Sequence, residues 1–230
     1  MTTFAVIGLG QLGASVATQL AERGAEVIAI DSDPMRVEQI KDQVARAMSL
    51  DATDEKALRA AGVADCDTVI LALGEAQLEE AVLITMALRE LGVGRIVSRA
   101  SSDIQARVLL RLGVTRVVFP ERQIGIQIAR QVLTPSLHDM VPLGEHQALA
   151  EVDVPTRLVG KTLGELQLRR VYGINVVAVQ SRREYLDDAG QPESAQEVDS
   201  VPGPDTRLAV GDRLMIVGTD TRIRAFAEGA

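Results

Sequence analysis

The chain has 230 residues, enough for one large domain or two small ones that each bury a core. Hydrophobic residues make up 47% and charged residues 24%, the balance of a soluble globular protein. The formal net charge is −8, and acids outnumber bases on both sides of residue 147, which argues against a nucleic-acid partner and against a polybasic membrane anchor.

Aromatic residues are only 2% with no Trp, so the core is expected from Val, Leu, Ile and Ala. Cys66 is the sole cysteine, which excludes an intramolecular disulfide and fits a reducing cytosol. No apolar stretch is long enough to span a bilayer, and Met1 to Ala5 does not read as a signal peptide.

Thr3 to Ile7 is a short continuous apolar run, the mark of a strand buried on both faces. Gly8-Leu9-Gly10-Gln11-Leu12-Gly13 follows directly. Ala14 to Arg23 then carries Val16, Ala17, Leu20 and Ala21 at helical spacing, and Glu26 to Asp31 is a second strand ending in an acid.

Each glycine has a physical task. Gly8 permits the turn out of the strand, Gly10 leaves room for a pyrophosphate, and Gly13 lets the helix lie close to the sheet. The free N–H groups and dipole of that helix favour a phosphate. Asp31 stands about 20 residues after the loop, where a carboxylate accepts ribose hydroxyls and repels a 2′-phosphate. NAD or another adenosine nucleotide is therefore expected over NADP.

Ser32-Asp33-Pro34 opens a helix over Arg36 to Val44. A strand over Ala47 to Leu50 ends at Asp51, and Thr53 or Asp54 caps a helix over Glu55 to Ala61. Strands over 67–73, 95–98 and 115–119 alternate with helices over 75–91, 103–112 and 122–133. Six alternations with short connections demand parallel strands with helices on both faces, and two three-strand halves make a doubly wound, Rossmann-like sheet.

Thr134 to Glu145, with Pro135, Pro142 and Gly144, reads as a linker. Beyond it come strands over 148–154, 174–180 and 213–217, and helices over 163–170 and 221–227. Tyr185 to Pro204 is polar and proline-bearing, and reads as a mobile loop or hairpin tip. The expected division is a nucleotide-binding domain over 1–135, a linker over 136–147 and a small α+β domain over 148–230.

The combined pattern resembles the RCK (TrkA-N/TrkA-C) family, and within it the cytosolic subunits of Ktr/Trk potassium-uptake systems. The first strand and glycine loop, Gly24 to Asp31, Asp51-Ala52-Thr53, Ala72-Leu73-Gly74 and Phe119-Pro120-Glu121 carry the likeness in the first half. Val159 to Leu163, Gly173 to Val179 and Gly211 to Leu214 carry it in the second.

The resemblance implies a homo-oligomer, a dimer assembling into an octameric ring under a membrane-embedded potassium translocator. Such a ring is cytoplasmic and peripheral on the inner face of the membrane, without insertion of its own. Exchange of ATP for ADP, or binding of NAD(H), gates transport. The implied nucleotide site comprises Gly8, Gly10, Gln11, Leu12, Gly13, Asp31, Ser32, Asp51, Ala52, Ala72, Leu73, Gly74, Arg99 and Glu121.

Ktr-type relatives commonly carry Arg where this chain has Gln11, and Arg99 is the candidate replacement charge near the phosphates. Glu121 is the candidate ligand for Mg²⁺ or Ca²⁺, hard cations that prefer oxygen; its plain alternative is an acid favouring a helix start. In some relatives cyclic di-AMP binds the C-terminal domain, which points to Arg169, Asn175, Val176 and Pro204.

The alternative is an NAD-dependent oxidoreductase with a minimal substrate domain. Hydride transfer needs a general acid or base near the nicotinamide. His138 and His146 both lie in or beside the linker, and neither Tyr172 nor Tyr185 has Lys four residues later. No catalytic residue is expected.

Overall fold

A computed structural model describes residues 2–186 and 192–229, apart from the side chains of 130, 182–186 and 192–195. The chain forms two compact units, residues 1–123 and 124–230.

The first unit is built on six strands: β1 (Thr3–Ile7), β2 (Glu26–Asp31), β3 (Arg46–Ser49), β4 (Thr68–Leu71), β5 (Ile96–Arg99) and β6 (Arg116–Val118). All pair in parallel, in the order β3-β2-β1-β4-β5-β6. Alternate residues of one strand point to opposite faces. Accordingly Ala5, Ile7, Ile28 and Ile30 join one core, and Val6, Val27 and Ala29 join another.

Helices cover both faces. α1 (Gln11–Glu22) and α2 (Pro34–Ile40) pack on one through Ala17 and Ile40. α3 (Glu55–Ala60), α4 (Leu78–Glu90) and α5 (Asp103–Arg111) pack on the other through Leu58, Leu88 and Leu109. Asp33, Asp54 and Ser102 cap α2, α3 and α5, each accepting a hydrogen bond from a backbone N–H of the first turn. α6 (Pro120–Leu133) follows β6.

The second unit holds an antiparallel sheet in the order β10-β9-β11-β8-β7, from β7 (Leu137–Pro142), β8 (Gln147–Asp153), β9 (Asn175–Leu186), β10 (Pro192–Asp199) and β11 (Arg213–Thr219). α7 (Leu163–Leu166), α8 (Leu168–Val171) and α9 (Asp220–Glu228) accompany it. Val152, Ile174, Leu214, Ile216 and Phe226 form its core, with Tyr172 edge-on to Phe226 at 5.2 Å.

Three expectations are corrected. The linker contains a strand: β7 pairs with β8, and Leu137 is buried. The polar stretch after Tyr185 contains β10, paired with β9 along its length; residues 187–191 of that stretch lie outside the described residues. The helix over 163–170 is two short helices, broken at Gln167, which takes a left-handed φ of 44°.

Candidate functional site

The expected nucleotide-site residues all lie at the carboxyl ends of the six parallel strands. Gly8 to Gly13 follow β1, Asp31 and Ser32 end β2, and Asp51 and Ala52 follow β3. Ala72, Leu73 and Gly74 follow β4, Arg99 ends β5, and Glu121 lies just beyond β6. Strand order reverses between β1 and β4, so the crevice where such sheets bind ligands opens over the glycine loop.

The three loop glycines serve different ends. Gly8 has a φ of +91°, and a Cβ there would lie 3.2 Å from the Ala72 backbone. A Cβ on Gly13 would stand 1.8 Å from the Gly8 carbonyl oxygen. Gly13 is thus required by the close seating of α1 on β1. A Cβ on Gly10 would meet nothing within 4 Å. Its side-chain position is open space, which is what a phosphate needs. No side chain caps α1 and its first turn holds no acid, so the opening N–H groups and the dipole face that space. Gln11 is exposed beside it.

Asp31 is 7% exposed and its carboxylate holds the loop. Oδ2 accepts from the Leu9 N–H at 2.6 Å, and Oδ1 from the Asp33 N–H at 2.9 Å. Arg36, on α2, donates to Oδ2 at 3.4 Å and pairs with Asp33 at 3.6 Å. The sequence reading missed Arg36, although its place in the turn after an acid-ended strand is visible. Asp51 accepts from both the hydroxyl and the N–H of Thr53, and these bonds lower its pKa, the hydroxyl first. Ala52 and Ala72 are buried.

Arg99 and Glu121 meet. A guanidinium nitrogen lies 2.6 Å from the Glu121 carboxylate, and another lies 3.4 Å from the Leu73 carbonyl oxygen. Nε of Arg99 is buried without a hydrogen-bond partner among the described residues. Arg122 lies over the Phe119 ring at 4.4 Å and pairs with Asp103 at 3.1 Å, which fixes the start of α6 and so the position of Glu121. An open Gly10 face, an uncapped helix start and a buried arginine nitrogen with no partner form a set of donors that fits a phosphate-bearing nucleotide.

The second unit has a cavity of about 410 Å³ between α7, α8 and the start of β9. Arg169, Asn175, Val176 and Pro204 all line it, with Gln167 and Arg170, which the sequence reading did not single out. His138 lies on β7 with Nε2 2.6 Å from Asp153, which also pairs with Arg213. Among the described residues no group of three or more His, Cys, Asp and Glu could hold a metal ion, and no helix is long and apolar enough to cross a membrane.

Sheet order and glycine loop together define the first unit as a Rossmann-type domain. The chain belongs to the TrkA family: residues 4–120 match the TrkA-N domain and residues 148–228 the TrkA-C domain. It is 38% identical over 183 residues to the Ktr system potassium uptake protein C of Bacillus subtilis, covering 80% of this chain and 82% of that one. It is 32% identical to the Ktr system potassium uptake protein A of Vibrio alginolyticus, covering 96% and 94%.

Among solved structures it is similar to the GsuK RCK domain, at a TM-score of 0.52 and 25% identity over 99% of this chain and 46% of that one. The GsuK channel bound to NAD matches at 0.51 and 25% identity, over 99% and 38%. The chain therefore spans under half the length of those solved chains.

Proposed function

We propose that this chain is the nucleotide-binding regulatory subunit of a Ktr/Trk-type potassium uptake system. It binds ATP/ADP or NAD(H) over the β1–α1 loop and gates a membrane-embedded translocator without consuming the nucleotide. The observation that carries the reading is the open space at Gly10 facing an uncapped helix start, in a chain similar over most of its length to Ktr potassium uptake proteins. A relative of known structure, the GsuK channel, is bound to NAD.

The mechanism is a population shift. A nucleotide drives the assembly only as far as it binds one conformation better than the other. Asp31 would orient the ribose, while the α1 N–H groups and Arg99 would hold the phosphates. Asp51, Ala52 and the segment Ala72 to Gly74 would border the base and ribose. A phosphate competes with Glu121 for the Arg99 guanidinium, and Glu121 released from that pair has oxygens for Mg²⁺ or Ca²⁺. Gln11 offers a hydrogen bond and no charge, so the choice between ATP, ADP and NAD rests on Arg99.

The assembly is a homo-oligomer, dimers closing into an octameric ring. Its reading is supported by exposed large apolar residues on α4 and α5, Leu83, Met86, Ile104 and Val108. It acts at the inner face of the cell membrane through its partner. Cyclic di-AMP is the second effector, with Arg169 on a phosphate and Asn175, Val176 and Pro204 around one half of the ligand.

The test is potassium flux through the translocator reconstituted in vesicles with this chain. Flux should change when ADP replaces ATP, or when NAD(H) is added, with the nucleotide recovered unchanged. Flux indifferent to every nucleotide, or consumption of NAD(H) with a substrate, refutes the reading.

A further inference from the structure

We infer that Arg36 sets how strongly the ribose end of the site rejects a 2′-phosphate. The inference rests on the nucleotide reading and adds a residue to it.

An ionised carboxylate offers about four acceptor positions. In Asp31 two go to the backbone N–H groups of Leu9 and Asp33. These cannot be given up without undoing the turns after β1 and β2. The carboxylate is 7% exposed, and the remaining side chain on it is Arg36, at 3.4 Å. Arg36 is the replaceable partner: its contact is long, its side chain is 50% exposed, and Asp33 offers it a second anchor at 3.6 Å.

Leu9, Asp33 and Arg36 take three of those positions and leave one, so a first ribose hydroxyl reaching Asp31 lies beside Arg36 and a second takes the position that Arg36 occupies. The guanidinium, still tethered by Asp33, stays beside the 2′ corner. A 2′-phosphate arriving there meets a cation paired with two carboxylates, not a bare carboxylate. A nearby arginine is the group that accommodates such a phosphate in Rossmann sites. Asp31 alone argues for strict rejection of NADP; Asp31 with Arg36 argues for a site whose discrimination one side chain sets.

The experiment is calorimetric titration of the full chain and of Arg36→Ala, Arg36→Gln and Arg36→Lys with NAD⁺ and with NADP⁺. The readout is the ratio of the two dissociation constants, in which effects on the shared pyrophosphate cancel. The ratio of NADP⁺ to NAD⁺ should rise about tenfold in Arg36→Ala and Arg36→Gln, and stay within about threefold of the parent in Arg36→Lys. An unchanged or lowered ratio, with NAD⁺ still bound, overturns the inference and leaves the nucleotide reading standing. Failure of the parent chain to bind either dinucleotide or any adenine nucleotide overturns both.

Discussion

The Arg99 guanidinium lies 2.6 Å from the Glu121 carboxylate, joining the end of β5 to the first turn of α6. The two residues therefore enter the proposed site as one element. Each holds the other's charge, and on the proposed reading a phosphate that engages Arg99 releases Glu121. Glu121 is 62% exposed, so the pair contributes at most about 1 kcal/mol to folding. Glu121→Gln should leave the unfolding midpoint nearly unchanged. It should tighten ATP binding measured without divalent cation, because Arg99 is freed, and remove any enhancement by Mg²⁺. Unaltered ATP affinity and an intact Mg²⁺ effect would count against the competition.

On the proposed reading Asp31 couples folding to binding, since its carboxylate also holds the loop. In Asp31→Ala the Leu9 N–H loses its acceptor, which costs about 1–3 kcal/mol of stability. Asp31→Asn keeps a carbonyl oxygen for Leu9 but turns its NH2 toward the Asp33 N–H, so it should recover only part of that loss, while nucleotide affinity stays low in both. Urea unfolding beside calorimetry separates the two effects; equal stability of Ala and Asn variants would argue against the Leu9 contact.

Gly10 and Gly13 should part company under substitution. A Cβ on Gly13 collides with the Gly8 carbonyl oxygen, so Gly13→Ala should lower stability by roughly 1–3 kcal/mol or more. Gly10→Ala meets no protein atom and should cost no more than about 1 kcal/mol as an α1 cap, yet weaken nucleotide binding about tenfold or more. Thermal melts with and without ADP check both.

Burial pushes the Cys66 thiol up to about 11. Between the ordinary thiol range and that value the unfolded chain releases this proton and the folded chain keeps it. This stabilising contribution is whole below about pH 8.5 and is lost as pH rises toward 11. Thiol reagents at pH 8 should label native protein far more slowly than urea-unfolded protein. Equal labelling rates would contradict the burial.

Arg169→Ala should abolish cyclic di-AMP binding in the second unit while leaving binding of ADP or NAD⁺ intact, since the cavity and the glycine loop belong to different units. Calorimetry with each ligand decides; retained cyclic di-AMP affinity removes Arg169 from the site.

The parallel half of the fold is legible because its inner strands β1, β2 and β4 are largely buried and read as apolar runs such as Glu26 to Asp31, with the others placed by the strand–helix alternation. The strands β7 and β10 are not, because each lies at an edge of its sheet and needs few apolar residues. Leu137-His138-Asp139-Met140 with Pro142 looks like a linker, and Pro192 to Asp199 looks like a solvated loop. The break at Gln167 is hidden because a left-handed residue is normally sought at glycine. In the site, the glycine loop and Asp31 stand out by spacing. The Arg99–Glu121 pair and the hold of Arg36 on Asp31 do not, because each is made by folding and neither residue type is unusual at its position.

The most direct test is calorimetric titration of ATP, ADP, NAD⁺ and NADH into the native chain and into Gly10→Val. The native chain should take up at least one of them at one site per chain, and Gly10→Val, folded to the same melting temperature within a few degrees, should take up none. Binding to neither protein, or equal binding to both, would contradict the placement of a phosphate over the first loop.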